Sequence, residues 1–254
     1  MSKKLIIGNW KMNPTTLDEA KTIIRKIRRV ASVLEGTDVV ACPPFVYIQS
    51  AISKNDPNTL KIGAQTVSFE EGGPHTGEVS TGMLHELGVA YVIVGHSEER
   101  ASGDTDEMVA KRVKAVVEAG MKAVLCVGEK VHDEGGAYLG ILKDQIKNSL
   151  ANVPNALAKN IVVAYEPVWA IGAKEPMSSA QIYEASLFVK KVFADVFSQN
   201  QAMKTLVLYG GSVNFRNAHE IISIGKVDGL LVGRESVNVP GFVELLKAVD
   251  SIQS

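Results

Sequence analysis

Apolar residues along this chain gather in short unbroken runs, separated by longer stretches in which they return every three or four positions. The runs cover residues 5–8, 39–42, 60–64, 91–94, 123–127, 161–165, 205–209 and 229–232. They are rich in Val, Ile and Leu and show no polar alternation, so they predict strands buried on both faces of a parallel sheet. Eight runs in 254 residues make about 32 residues per unit (254 divided by eight), close to the roughly 30 of a βαβ repeat.

The intervening stretches predict helices. In the first, Leu17, Ala20, Ile24, Ile27, Ala31 and Leu34 share one face, with Arg25, Lys26, Arg28 and Arg29 largely off it. Asn13-Pro14 offers a cap and a first-turn proline, and Thr16 with Glu19 offers a capping box. Before the seventh run, Ser178 and Gln181 repeat the box ahead of Ile182, Ala185, Val189, Val192 and Val196. No low-complexity linker divides the chain. The expected fold is α/β, a single (β/α)8 barrel of eight parallel strands forming one domain over 1–254. An open doubly wound sheet would usually carry a glycine fingerprint straight after the first strand, and Gly8-Asn9-Trp10-Lys11 is not one.

Composition narrows the function. A formal net charge of −1 supplies no general field for nucleic acid or an anionic membrane, so neither is an expected partner. A phosphate would have to be held locally, by backbone amides and a few cations. Cys42 and Cys126 stand far apart with no His/Cys cluster, which argues against a zinc site or a disulfide framework. The N-terminal apolar run is too short for a signal peptide, and a cytoplasmic protein is expected.

In barrels the chemistry stands at the C-terminal ends of the strands. Those ends carry Asn9 and Lys11, His96 and Glu98, Glu129, Glu166, Gly210-Gly211-Ser212, and Gly233-Arg234. Glu166 at the edge of an apolar run is either a desolvated base or a solvated loop carboxylate. His96 is either a donor to a substrate oxygen or a rim residue bonded to backbone. Lys11 and Asn9 are a fixed cation with a neutral donor, or ordinary strand terminators. The glycine turns after the last two strands are a phosphate cradle, or plain turns. The other histidines, 75, 85, 132 and 219, receive no role. One carboxylate, one histidine, one lysine and no metal cluster point to proton transfer on a small phosphorylated substrate.

The segments Ile7-Gly8-Asn9-Trp10-Lys11-Met12-Asn13, Val94-Gly95-His96-Ser97-Glu98, Ala164-Tyr165-Glu166-Pro167-Val168-Trp169-Ala170-Ile171-Gly172 and Tyr209-Gly210-Gly211-Ser212-Val213 resemble the signatures of the triosephosphate isomerase family. Gly63-Ala64-Gln65 and Thr76-Gly77-Glu78-Val79-Ser80 resemble its third loop, and the order matches across nearly the whole chain. The resemblance implies an isomerase of dihydroxyacetone phosphate and glyceraldehyde 3-phosphate that needs no cofactor and no metal. It implies Glu166 as base, His96 as neutral electrophile, Lys11 and Asn9 at the substrate, and Glu98 as a supporting carboxylate. Gly172, Ser212, Gly233 and Arg234 would bind the phosphate, and residues 167–176 would form a lid. A homodimer is implied through the loop 66–79, with Thr76 reaching toward the partner's Lys11.

Four features depart from the family pattern. The far lid hinge reads Lys174-Glu175-Pro176-Met177, and Arg234 stands where a second glycine is usual. Glu99-Arg100 replaces paired arginines, and 130–136 replaces a usual charged stretch; both are expected to lie away from the chemistry. In the third loop, Thr66 and His75 replace more usual residues. Two other readings remain: a barrel acting on a different sugar phosphate, and a non-catalytic scaffold.

Overall fold

A computed structural model describes residues 3–52, 59–133, 135–170 and 177–253. The apolar runs form β1 (Lys4–Asn9), β2 (Thr37–Cys42), β3 (Lys61–Ala64), β4 (Tyr91–Val94), β5 (Lys122–Val127), β6 (Ile161–Tyr165), β7 (Leu206–Tyr209) and β8 (Gly229–Val232). All neighbours pair in parallel and in chain order, and β8 returns to β1 to close a barrel. The (β/α)8 architecture expected from the sequence is the one observed. The strand bounds differ from the apolar runs by one or two residues, because ladder hydrogen bonds rather than side-chain type set where a strand ends.

Between the strands run α1 (Leu17–Ala31), α2 (Phe45–Ala51), α3 (Thr81–Leu87), α4 (Ser97–Ala101), α5 (Asp106–Glu118), α6 (Ala137–Leu150), α7 (Ser179–Val196), α8 (Gln199–Lys204), α9 (Ala218–Ser223) and α10 (Val239–Asp250). None of the described helices is long and apolar enough to cross a membrane.

Strand side chains alternate between two apolar layers, as period-two geometry requires. Leu5, Ile7, Val40, Cys42, Ile93, Val124, Cys126, Val162, Ala164, Leu208 and Leu231 fill the barrel. Ile6, Val39, Ala41, Val92, Val94, Leu125 and Val163 join the larger cluster that receives the helices. Because both faces are buried, the strands show no polar alternation, which is the pattern the sequence displays.

Of the two start signals expected for the first helix, the second is the one used. Pro14 lies in the preceding loop, and the cap is Thr16, whose hydroxyl accepts from the Glu19 amide at 3.3 Å. Asp18 and Glu19 then sit at the positive end and Arg28 and Arg29 at the negative end. Ile23 belongs to the buried face, whereas Leu17 is exposed. In α7 both halves of the capping box form, through Ser178 Oγ to the Gln181 amide and Gln181 Oε1 to the Ser178 amide.

Candidate active site

The rim is built from strand ends, so backbone ladders position its side chains. Asn9 is the last residue of β1 and is buried. Its Oδ1 accepts from the Lys11 amide at 3.0 Å. Gln65, just after β3, donates Nε2 to the carbonyls of Lys11 (2.8 Å) and Cys42 (2.9 Å). These bonds hold Lys11 at φ 53°, a left-handed conformation that costs a non-glycine residue on the order of 1 kcal/mol or more. The Lys11 ammonium reaches Glu98 Oε1 at 2.5 Å. With the Glu98 side chain 61% exposed, that pair does more to aim the ammonium than to stabilise the fold.

His96 caps α4. Its Nδ1 accepts from the Glu98 amide at 3.2 Å, so the neutral ring carries its proton on Nε2 by this hydrogen-bond pattern. Nε2 lies 3.3 Å from Glu166 Oε1. The ring therefore presents a donor toward the carboxylate.

Glu166 follows β6 and is 3% exposed, with its amide on the Val127 carbonyl at 2.8 Å. Burial pushes its carboxyl above the ordinary range; His96, the Cys126 thiol, the Ser97 amide and Lys11 pull the other way. Its Oε2 is buried without a protein partner. Two glycines make room for it. A Cβ on Gly128 would stand 1.7 Å from the Glu166 carbonyl oxygen, and one on Gly210 would stand 2.8 Å from Glu166 Cγ. Gly210, which the sequence suggests for phosphate, thus serves the carboxylate. Cys126 enters the site as well, with its thiol against Glu166 and raised by burial above the usual thiol range.

Ser212 donates its hydroxyl to the Ala170 carbonyl at 3.0 Å, tying the turn after β7 to the segment after Glu166. Gly233 lies against Lys11, since a Cβ there would come within 3.6 Å of Lys11 Cε. Arg234 opens a 3-10 turn with an exposed side chain, and among the described residues only Lys11 and Lys226 are non-glycines at positive φ. Arginine therefore occupies that position without the backbone strain a glycine substitution can bring. Gly172 and the hinge residues Lys174, Glu175 and Pro176 lie outside the described residues. Met177 is buried.

Two departures meet. Burial raises the Glu99 carboxyl, while a hydrogen bond from Thr66 and the nearby Arg112 lower it, so these three join the third loop to α4 and α5. Arg100 bonds the Gly95 carbonyl (2.8 Å), Asp106 (2.5 Å) and Ser149 (3.3 Å), bracing the turn before His96. The stretch 130–136 is not remote from the site as expected. His132 contacts Glu129 and Trp169, and Trp169 follows Glu166 by three residues. Sequence reasoning passed over His132, Cys126 and the structural role of Gln65, because each acts through a contact distant in the chain.

Comparison with known proteins accords with this arrangement. A family model described as triosephosphate isomerase matches residues 4–249. The chain belongs to the triosephosphate isomerase family. It is 37% identical over 256 residues to a triosephosphate isomerase of Dehalococcoides mccartyi, covering 100% of this chain and 99% of the relative. It is 38% identical over 250 residues to one of Fusobacterium nucleatum (98% and 99%), and 37% identical over 249 residues to one of Carboxydothermus hydrogenoformans (97% and 99%). As a member of the triosephosphate isomerase family, it is an isomerase of the intramolecular aldose–ketose kind.

Proposed function

We propose that the chain interconverts dihydroxyacetone phosphate and D-glyceraldehyde 3-phosphate through an enediolate. The observation that carries this is the pair of Glu166, a buried carboxylate with a raised pKa, and His96, whose Nε2 lies 3.3 Å away. In the reaction Glu166 removes a proton from the carbon beside the carbonyl, and the bond's electrons move onto the carbonyl oxygen. His96 donates its Nε2 proton to that oxygen and recovers one from the hydroxyl on the deprotonated carbon, whose oxygen becomes the new carbonyl. Glu166 then returns the proton to the neighbouring carbon. This division of roles is the one known for the family. Desolvation makes the carboxylate a stronger base, and a neutral imidazole is a donor that need not be regenerated from a cation.

Lys11, held beside Gly233 and aimed by Glu98, faces the negative charge of substrate and enediolate, with Asn9 beside it. The phosphate falls to amides of Gly172, Ser212, Gly233 and Arg234. No cofactor or metal enters these steps. The working form is a homodimer joined through the loop 66–79. In the described structure that loop is closed at its base by the Ser68 amide on the Val79 carbonyl (2.8 Å), and residues 71–78 are exposed.

A coupled assay with glyceraldehyde 3-phosphate tests the reading. Wild type should turn over rapidly, and Glu166→Gln should lose about 10²–10⁴-fold in kcat with its fold intact, the usual worth of a general base. Near-normal turnover in that variant would remove Glu166 from the role. No turnover in a folded wild type would leave a barrel that binds without reacting.

A further inference from the structure

Gly128 stands one residue beyond the end of β5 at Val127. Both of its backbone hydrogen-bonding groups meet one side chain, that of Gln145 on α6, 17 residues later. The Gly128 amide donates to Gln145 Oε1 at 2.9 Å, and Gln145 Nε2 donates to the Gly128 carbonyl at 3.1 Å. A carboxamide sets a donor and an acceptor side by side, as a neighbouring strand does. The reverse orientation would set donor on donor and acceptor on acceptor, so the contacts fix which way the amide faces. Gln145 thus adds one rung to β5 from outside the sheet. The helix that carries it is firmly seated, with Leu142, Ile146 and Leu150 buried in the helix layer.

The other side of Gly128 faces Glu166. A Cβ there would stand 1.7 Å from the Glu166 carbonyl oxygen and 3.3 Å from its Cα, so the two backbones touch and a shift in one is passed to the other. Val127, just before Gly128, accepts the Glu166 amide at 2.8 Å. A cavity of about 560 Å³ opens beside this contact, bordered by Gly128, Gln145, Glu166, Val131, Ile141 and Val168. Glycine has no side chain to fill it, so on that side a hydrogen-bonded tether rather than packing sets where Gly128 lies. We propose that Gln145 is a positioning residue for Glu166: through Gly128 it fixes the backbone from which the carboxylate reaches the substrate. A misplacement on the order of 1 Å at a reacting group costs about 10²-fold in rate, so a tether one backbone contact away bears on turnover.

The kinetic arm of the test rests on the isomerase reading; the hydrogen-exchange arm does not. Gln145→Met keeps the length of the side chain and removes both hydrogen bonds. In the wild type the amides of Gly128 and Glu166 should exchange slowly. In Gln145→Met both should exchange roughly tenfold faster, with the remaining amides of β5 and β6 unchanged. Its kcat with glyceraldehyde 3-phosphate should fall about tenfold, within the worth of two neutral hydrogen bonds, and KM should hold because Lys11 and Asn9 are untouched. Gln145→Glu keeps the acceptor for the Gly128 amide and loses the donor to its carbonyl, so it should keep Gly128 protected and recover part of kcat. A folded Gln145→Met with wild-type kcat would overturn the proposal. So would fast exchange at Gly128 with Glu166 still protected, since Gln145 would then only cap the strand. If Gln145→Met does not fold, Gln145→Glu decides, and wild-type kcat there overturns the proposal as well. If exchange at the two amides rises together in Gln145→Met but wild type shows no turnover, the positioning stands and the isomerase reading falls.

Discussion

At the scale of single residues, Glu166 combines burial, an unpartnered Oε2 and a carboxyl raised above its ordinary range. A carboxyl whose folded pKa lies above its unfolded one binds more protons when folded. Stability therefore falls as pH climbs from the ordinary value, about 4.3, through the raised one, and stays lower above it. Glu166→Gln removes the buried charge. It should melt above wild type at pH 7, readable at roughly 2–4 °C per kcal/mol for a chain of this size, and the difference should close below about pH 4. An equal or lower midpoint at pH 7 would mean that lost hydrogen bonds outweigh the relief. The same shift places the acid limb of kcat/KM above the ordinary carboxylate range, because the protonated carboxyl cannot act as base. Glu166 was legible in the sequence as a choice between base and solvated loop residue; its burial was not, since Gly128 and Gly210 make the space from other strands.

At the scale of elements, the loop after β1 depends on β3. Gln65 satisfies two backbone carbonyls and keeps Lys11 in its left-handed conformation. Gln65→Ala leaves those carbonyls without their donor at a cost of about 1–3 kcal/mol. It should also raise KM more than it lowers kcat, as the ammonium loses its aim; unchanged KM and melting point would make Gln65 dispensable. A comparable join links Thr66 to Glu99 of α4 and Arg112 of α5. Read along the chain, these were separate departures from the family pattern, and only packing shows that two of them touch. The helices themselves were legible because caps and apolar spacing are local. The start of α1 stood between two signals, because Asn13-Pro14 and Thr16 lie within three residues, and the structure takes Thr16.

At the scale of the whole molecule, closure joins the two ends of the chain. Leu5 in β1 stands opposite Gly229 in β8, and a Cβ on Gly229 would come within 1.9 Å of the Leu5 carbonyl oxygen. Gly229→Ala should therefore cost at or above the ~3 kcal/mol upper end of ordinary substitutions, seen in denaturant melts or as loss of soluble protein. A variant as stable as wild type would show that the seam can spread. Assembly belongs to this scale too. Sedimentation should give a mass near twice 27.3 kDa, and deleting the exposed residues 72–76 should give a monomer with much lower turnover. A wild type that sediments as a monomer at full activity would refute the dimer.

By itself the sequence determined the barrel, because burying both faces of every strand imposes an unbroken apolar run that periodicity reveals locally. It also determined the candidates Asn9, Lys11, His96, Glu98 and Glu166, because strand ends mark the rim and the motifs that surround them are contiguous. The tertiary structure alone decided how those side chains stand to one another: which histidine nitrogen accepts the Glu98 amide, which glycine clears space for a carboxylate, and why His132 lies against Trp169. Each of those depends on contacts between residues far apart in the chain, where a few ångströms separate a hydrogen bond from none, and no local pattern encodes such a distance.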